Sequence, residues 1–256
     1  MRLDLYMVEN SLARSREQAK ELILAGKVML DGKVCEKPST SVFNQTVTAS
    51  EEESFVGRGA KKLLKAFSVF HLDVKEKICI DAGASTGGFT EIMLKNGASK
   101  VYAVDVGQDQ LAESLKADER VINLEKTDIR NLELSEKADF FTADVSFISL
   151  TQVLYHLFSL SGEGAFGVCL VKPQFEAGRG FVGKKGVVKD KKAHIRVLSD
   201  ITEYAKGIGF SVKGLTPSPI TGQNGNIEYL LYLSKSGEDC DFSAEKTVAD
   251  AFGGNL

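Results

Sequence analysis

Ile78-Cys79-Ile80-Asp81-Ala82-Gly83-Ala84-Ser85-Thr86-Gly87-Gly88-Phe89-Thr90-Glu91-Ile92-Met93-Leu94 decides the fold of this chain. An apolar run, a glycine-rich turn and a helical pattern follow one another, and together these are the parts of a nucleotide cradle. Glycines let a backbone come close to a ligand, and a helix start offers N–H groups that the helix itself does not use. Next comes Lys100-Val101-Tyr102-Ala103-Val104-Asp105, an apolar run that ends in a carboxylate able to accept from both hydroxyls of a ribose. The turn reads Gly-x-x-x-Gly-Gly rather than Gly-x-Gly-x-x-Gly. That spacing suits a compact nucleoside without a pyrophosphate, with S-adenosylmethionine as the leading candidate.

Working outward, apolar runs at 78–82, 100–106, 120–124, 138–144, 165–172, 209–215 and 228–234 read as strands. Helical patterns fall near 88–96, 108–117, 149–159 and 189–207. Such alternation predicts an α/β, Rossmann-like domain with a mostly parallel seven-stranded sheet and helices on both faces. Its ligand belongs beyond the carboxyl ends of the strands, where Asp81, Asp105 and Asp144 fall. The expected organisation is a small α+β module over 1–54, a linker with a bridging helix over 55–77, the large domain over 78–236 and an acidic tail over 237–256.

In the small module, Ser15-Arg16-Glu17-Gln18 has capping-box spacing, and Ala19, Leu22 and Ile23 share a helical face. Asp31-Gly32 between Val28-Met29-Leu30 and Lys33-Val34-Cys35 predicts a tight hairpin. A further short strand fits within 42–47. Arg2-Leu3-Asp4, Ser15 to Lys20, Ile23 to Val28 and Asp31 to Val34 resemble the S-four-type RNA-binding fold. That resemblance puts Arg14, Arg16, Lys20, Lys27 and Lys33 against phosphates. Seven basic and six acidic residues in 1–50 would by themselves read as an ordinary solvated surface.

Polar residues stand at the ends of apolar runs in the large domain. Asp144 precedes Val145-Ser146-Phe147, Lys172 ends Val168-Cys169-Leu170-Val171, and Glu228 lies between Ile227 and Tyr229. A lysine closing a hydrophobic strand is costly without a partner or a task. These residues, with Lys62 on the amphipathic stretch after Gly57-Arg58-Gly59, resemble the Lys-Asp-Lys-Glu set of FtsJ-type RNA ribose methyltransferases. Asp144-Val-Ser-Phe-Ile-Ser149, Val171-Lys172-Pro173-Gln174-Phe175-Glu176, Ser218 to Gly222 and Gly225 to Glu228 extend the likeness. Joined to the S-four-type segment, the chain resembles the TlyA (hemolysin A-like) family of ribosomal RNA 2′-O-methyltransferases over residues 2–234.

That resemblance implies methyl transfer from S-adenosylmethionine to a ribose 2′-hydroxyl of ribosomal RNA, on a cytidine. It makes Lys62, Asp144, Lys172 and Glu228 catalytic, Lys61 being the competing neighbour of Lys62. Lys172 would take the hydroxyl proton, or stay charged and stabilise the developing alkoxide. Asp81, Gly83, Ser85, Thr86, Gly87, Gly88, Phe89, Asp105, Val106, Asp128 and Asp144 are expected around the cofactor. Asp128 has a rival reading as a helix cap. Where the family commonly has Gly-Tyr-Gly-Gln, this chain has Gly107-Gln108-Asp109-Gln110. Arg58 and the basic loop with Arg179, Lys184 and Lys185 join the expected RNA contacts; otherwise they are solvated charges.

Composition sets limits. The 256 residues are 43% hydrophobic and 26% charged with a net charge of -3, as in a globular protein with no overall basic signature. Cys35, Cys79, Cys169 and Cys240 are widely spaced, and His71, His156 and His194 add no metal-ligand pattern. No apolar stretch approaches membrane-spanning length, so the expectation is a cytoplasmic, metal-free protein, and the family resemblance adds ribosomal subunits as its partner. The rival readings are a non-catalytic ribosome-binding factor, a membrane-lytic protein and a dinucleotide oxidoreductase.

Overall fold

The computed structural model describes residues 1–13, 15–49 and 55–254. The chain divides into two compact units, 1–54 and 55–256. In the first, helices α1 (Leu3–Glu9) and α2 (Arg16–Leu24) accompany strands β1 (Val28–Leu30), β2 (Lys33–Val34) and β3 (Val47–Ala49). The strands form an antiparallel sheet in the order β2-β1-β3. Ser15 caps α2 by accepting the Gln18 N–H at 3.2 Å. Asp31 and Gly32 both take left-handed φ values, 48° and 76°, as the two-residue hairpin requires. Leu3, Met7, Ala19, Ile23, Val28 and Val42 form the unit's core.

The second unit begins with α3 (Gly59–Phe70), then β4 (Ile78–Ala82), α4 (Gly88–Lys95), β5 (Lys100–Val104) and the short α5 (Glu113–Lys116). It continues through β6 (Val121–Leu124), β7 (Ala138–Ala143), α6 (Thr151–Leu160), β8 (Ser161–Val171) and α7 (Pro173–Glu176). Helix α8 (Lys191–Gly207), β9 (Ser211–Pro217), β10 (Tyr229–Ser234) and α9 (Ala244–Phe252) complete it. The seven strands lie in the order β6-β5-β4-β7-β8-β10-β9. All run parallel except β10, which is antiparallel to both neighbours.

Strand alternation sends successive side chains to opposite faces. Cys79, Val101, Phe140 and Leu170 meet α3 and α4 on one side. Ile80, Val104, Phe141 and Val171 meet the apolar residues of α6, α8 and α9 on the other. The chain leaves β4 toward β5 on one side and later returns to β7 on the other. A crevice opens at such a switch point beyond the strand ends, and the site forms there.

Three local expectations are corrected. Residues 55–77 are no linker: Ala60, Leu63 and Ala66 of α3 pack into the core of the second unit. Residues 237–256 are more than a tail, because Ala244, Val248 and Ala251 of α9 join the opposite core. The helix expected from 108 begins only at Glu113. The Glu125 carboxylate accepts the N–H groups of Asp109, Gln110 and Leu111 at 3.0, 2.8 and 3.1 Å, which holds that stretch as a loop. Those three backbone donors keep Glu125 at about 2, below the usual carboxylate range. Among the described residues no helix is long and apolar enough to cross a membrane.

Candidate active site

The glycine-rich turn is held by two carboxylates. Asp81, fully buried on β4, accepts from the Thr90 N–H and hydroxyl at 2.9 and 2.7 Å. Its other oxygen accepts the Thr142 hydroxyl at 2.9 Å. Burial pushes this carboxyl up to about 6 against those neutral donors. Asp81 therefore ties β4 to the first turn of α4 and to β7, and does not line the cavity above them. Asp105, just past β5, accepts the Ser85 N–H at 2.8 Å and the Gly107 N–H at 2.7 Å, fixing two turns at once. Gly83 has φ +83°, and a Cβ there would come within 2.9 Å of the Asp144 carbonyl oxygen. A Cβ on Gly88 would lie 2.9 Å from the Ala60 backbone nitrogen, so α3 begins hard against the turn.

A cavity of about 450 Å³ opens over these strand ends. Gly83, Ser85, Thr86, Gly88 and Phe89 line it together with Lys62, Asp144, Lys172 and Glu228. Gly87, Asp105, Val106 and Asp128 are not in its wall. Gly87 opens α4 with φ 95°, and Val106 is exposed beyond β5. Asp128 caps the turn at 129–131 by accepting the Arg130 N–H at 2.9 Å, and the Arg130 guanidinium pairs with it at 2.6 Å. The capping reading of Asp128 is the one its geometry supports.

The four charged residues meet although they come from separate parts of the chain. Helical rotation leaves Lys61 exposed and turns Lys62 inward. The Lys62 amine lies 2.8 Å from Glu228 and 3.2 Å from Asp144. Burial works against its charge, but the two carboxylates outweigh it and hold the amine above its ordinary value. The second Asp144 oxygen lies 2.5 Å from Lys172, which also donates to the Asp144 carbonyl at 3.3 Å and to the Ser146 hydroxyl at 2.9 Å. Burial opposes the Asp144 charge too, and the flanking lysines still hold its carboxyl below the usual range. Two cations and two anions thus alternate with no formal excess.

Sequence reasoning passed over several neighbours. Phe147 is 86% exposed with a left-handed φ of 65°, and its ring lies 5.2 Å from that of Phe175. A non-glycine residue held in that conformation beside a polar cluster points to function. Glu176 accepts the Ser149 hydroxyl at 2.6 Å and the Leu150 N–H at 2.7 Å, anchoring the loop that carries Asp144 and Phe147. Gln174 donates to Glu228 at 3.1 Å. The resemblance had quoted the segments holding all four residues, but only contacts across 26 to 54 positions expose their roles.

Of the expected RNA contacts, Arg14 lies outside the described residues. Arg16 is exposed but also pairs at 3.2 Å with the buried Asp4, whose nearer partner is Arg2 at 2.9 Å. The Arg2 hydrogen bond, helped by Arg16 and opposed by burial, holds Asp4 at about 2. Lys20 and Lys33 are exposed and Lys27 is half-buried. In the second unit Arg58, Arg179, Lys184 and Lys185 are exposed.

A mostly parallel sheet of this order, a glycine turn at its switch point and a charged cluster in the same crevice define a nucleoside-dependent group-transfer fold. The chain belongs to the FtsJ-like methyltransferase family, whose model matches residues 55–235, and an S4 domain model matches residues 1–42. It is 46% identical to the 16S/23S rRNA (cytidine-2′-O)-methyltransferase TlyA of Mycobacterium tuberculosis, over 91% of this chain and 89% of the relative. It is 37% identical to the 23S rRNA (cytidine-2′-O)-methyltransferase TlyA of Campylobacter jejuni, over 92% of this chain and the whole relative. A solved structure of a candidate hemolysin from Streptococcus thermophilus matches with a TM-score of 0.78 at 41% identity, covering 100% of this chain and 96% of that one.

Proposed function

We propose that the chain transfers the methyl group of S-adenosylmethionine to a ribose 2′-hydroxyl of ribosomal RNA, on a cytidine as its TlyA relatives are named, in the cytoplasm. The observation that carries this reading is the alternating Lys172–Asp144–Lys62–Glu228 cluster lining one cavity with the glycine turn. The cavity fits the cofactor in size, since small-molecule sites begin near 300 Å³. It also fits in chemistry, offering a helix start, the hydroxyls of Ser85 and Thr86, and a carboxylate suited to a positively charged ligand. When bound, S-adenosylmethionine supplies an electrophilic methyl group.

The remaining work falls to the chain. A ribose hydroxyl is a weak nucleophile, so alignment and control of its proton are what the site must provide. Lys172 donates to the Asp144 carbonyl and the Ser146 hydroxyl and lies against the Asp144 carboxylate, which fits a fixed cation that stabilises negative charge on the attacking oxygen. Lys62 and Glu228 hold Asp144 in place between the lysines. Phe147 and Phe175 offer an apolar platform on which an unstacked base can rest. Arg16, Lys20, Lys27, Lys33, Arg58, Arg179, Lys184 and Lys185 meet phosphates.

The test is tritiated methyl transfer into isolated ribosomal subunits from cells that lack the chain, followed by mapping of ribose methylation. Label at a cytidine 2′-oxygen is expected. A cofactor that binds while no subunit or ribosomal RNA gains label would favour a non-catalytic ribosome-binding factor.

A further inference from the structure

Asp4 has no exposed surface and sits on α1 beside the core residues Leu3 and Met7. Its Oδ1 accepts the Arg2 Nε–H at 2.9 Å and the Leu5 N–H at 3.1 Å. Its Oδ2 accepts a terminal N–H of Arg2 at 3.0 Å and one of Arg16 at 3.2 Å. These donors fill the roughly four lone-pair positions that an ionised carboxylate offers. The acid is saturated.

The two guanidiniums are not. Their side chains are 47% and 52% exposed. Of the N–H donors on each fork, Arg2 commits its Nε–H and one terminal N–H to Asp4, and Arg16 commits a single terminal N–H. The rest meet no partner among the described residues. Both arginines bond the same Asp4 oxygen, so their head groups lie side by side. An exposed arginine normally gives up rotamer freedom when it grips an anion, which offsets part of the gain. Here that ordering is already done, and the acid that does it is itself fixed. The Leu3 and Asp4 N–H groups donate to the Thr40 and Pro38 carbonyls at 2.8 and 3.1 Å, and Ser15 caps the helix that begins at Arg16. Two guanidiniums against one carboxylate leave a single positive charge, which one phosphodiester neutralises.

We propose that Asp4 is a positioning residue for RNA, holding Arg2 and Arg16 together as one clamp for a backbone phosphate. This rests on the ribosomal RNA reading above and adds Arg2 to its phosphate contacts. Asp4 touches no RNA; it acts through the two arginines. An acid in this place therefore strengthens binding of a polyanion, the reverse of what its charge alone would do.

The experiment measures methyl transfer into ribosomal subunits from cells lacking the chain, with Asp4→Asn, the pair Arg2→Gln and Arg16→Gln, and all three changes together. Asp4→Asn makes the chain more positive, yet its KM for subunits is expected to rise about tenfold, the scale of one weakened charged hydrogen bond. Its maximal rate and S-adenosylhomocysteine affinity stay near wild type, and the salt slope of subunit binding falls by about one. In the chain without both arginines, Asp4→Asn should raise KM no further. Hydrogen exchange of the α1 and α2 amides reads the fold of this unit. If Asp4→Asn unfolds it, Arg2→Lys with Arg16→Lys carries the test: charge is kept and the fork is lost, so KM should rise about fivefold. A KM at or below that of wild type in a folded Asp4→Asn, or in the double lysine variant, overturns the inference. A further rise in the chain without the arginines also overturns it, because Asp4 would then act through the fold alone. A wild-type chain that moves no methyl group onto either subunit overturns the parent reading instead.

Discussion

The glycine turn and the charged cluster use carboxylates in opposite ways. At the turn, Asp81 and Asp105 bond to neutral N–H and O–H donors and hold the backbone between β4, α4 and β5. In the cluster, Asp144 and Glu228 pair with ammonium groups, with Asp144 between two of them. The protonation behaviour follows the partners. Buried Asp81 is pushed up to about 6, while Asp144, also pressed by burial, is held below its ordinary value by two lysines. Burial alone therefore does not tell an architectural acid from a chemical one; the partners do.

The largest expected effect breaks the charged cluster. Lys62→Met leaves Glu228, 4% exposed, and Asp144 without their shared cation. Breaking such a buried pair should destabilise the protein by about 3 kcal/mol. A fall in the urea midpoint together with lost methyl transfer would bear this out. Unchanged stability would mean that the cluster relaxes and is not the rigid frame described here.

Next comes the glycine turn. Gly83→Ala places a Cβ against the Asp144 carbonyl at a positive φ, and should cost about 2 kcal/mol and weaken cofactor binding. Gly180→Ala, whose Cβ meets nothing within 4 Å, is the control and should stay within about 0.5 kcal/mol of wild type. Thermal melting and S-adenosylhomocysteine calorimetry on both variants test the contrast.

The smallest effect concerns pH. The folded value of Asp81, about 6, lies above its ordinary 3.8, so its contribution to stability is complete below 3.8 and is lost as pH rises through 6. Asp81→Asn cannot titrate, and its stability curve should be flatter than wild type between those values. Parallel curves would show that Asp81 is ionised throughout.

Much of this was legible in the sequence, and the gaps have physical causes. The run from Ile78 to Leu94 indicated the strand, turn and helix because short-range periodicity specifies them. Alternating runs indicated the mostly parallel sheet. Position within the site was harder to read. Asp81 lies beside the turn in sequence and Asp105 only after the next strand, and hydrogen bonds with Thr90, Thr142, Ser85 and Gly107 tie both to the backbone around it. Lys61 and Lys62 are equivalent in composition, and only the packing of Leu63 and Ala66 sets which one faces inward. The loop at 108–112 has a helical pattern, overridden by a carboxylate more than a dozen residues later. Ser146 and Phe147 gave no periodic signal, because a hydroxyl and a strained backbone acquire meaning only beside a buried lysine.

The central claim is that the amine of Lys172 governs methyl transfer from the charged cluster while the glycine turn holds the cofactor. Lys172→Ala tests it most directly, measured by transfer into ribosomal subunits and by S-adenosylhomocysteine calorimetry on the same preparation. The account predicts cofactor affinity within about twofold of wild type and a transfer rate lower by about 100-fold or more. Transfer at the wild-type rate, or loss of cofactor binding in a variant that remains folded, would contradict it.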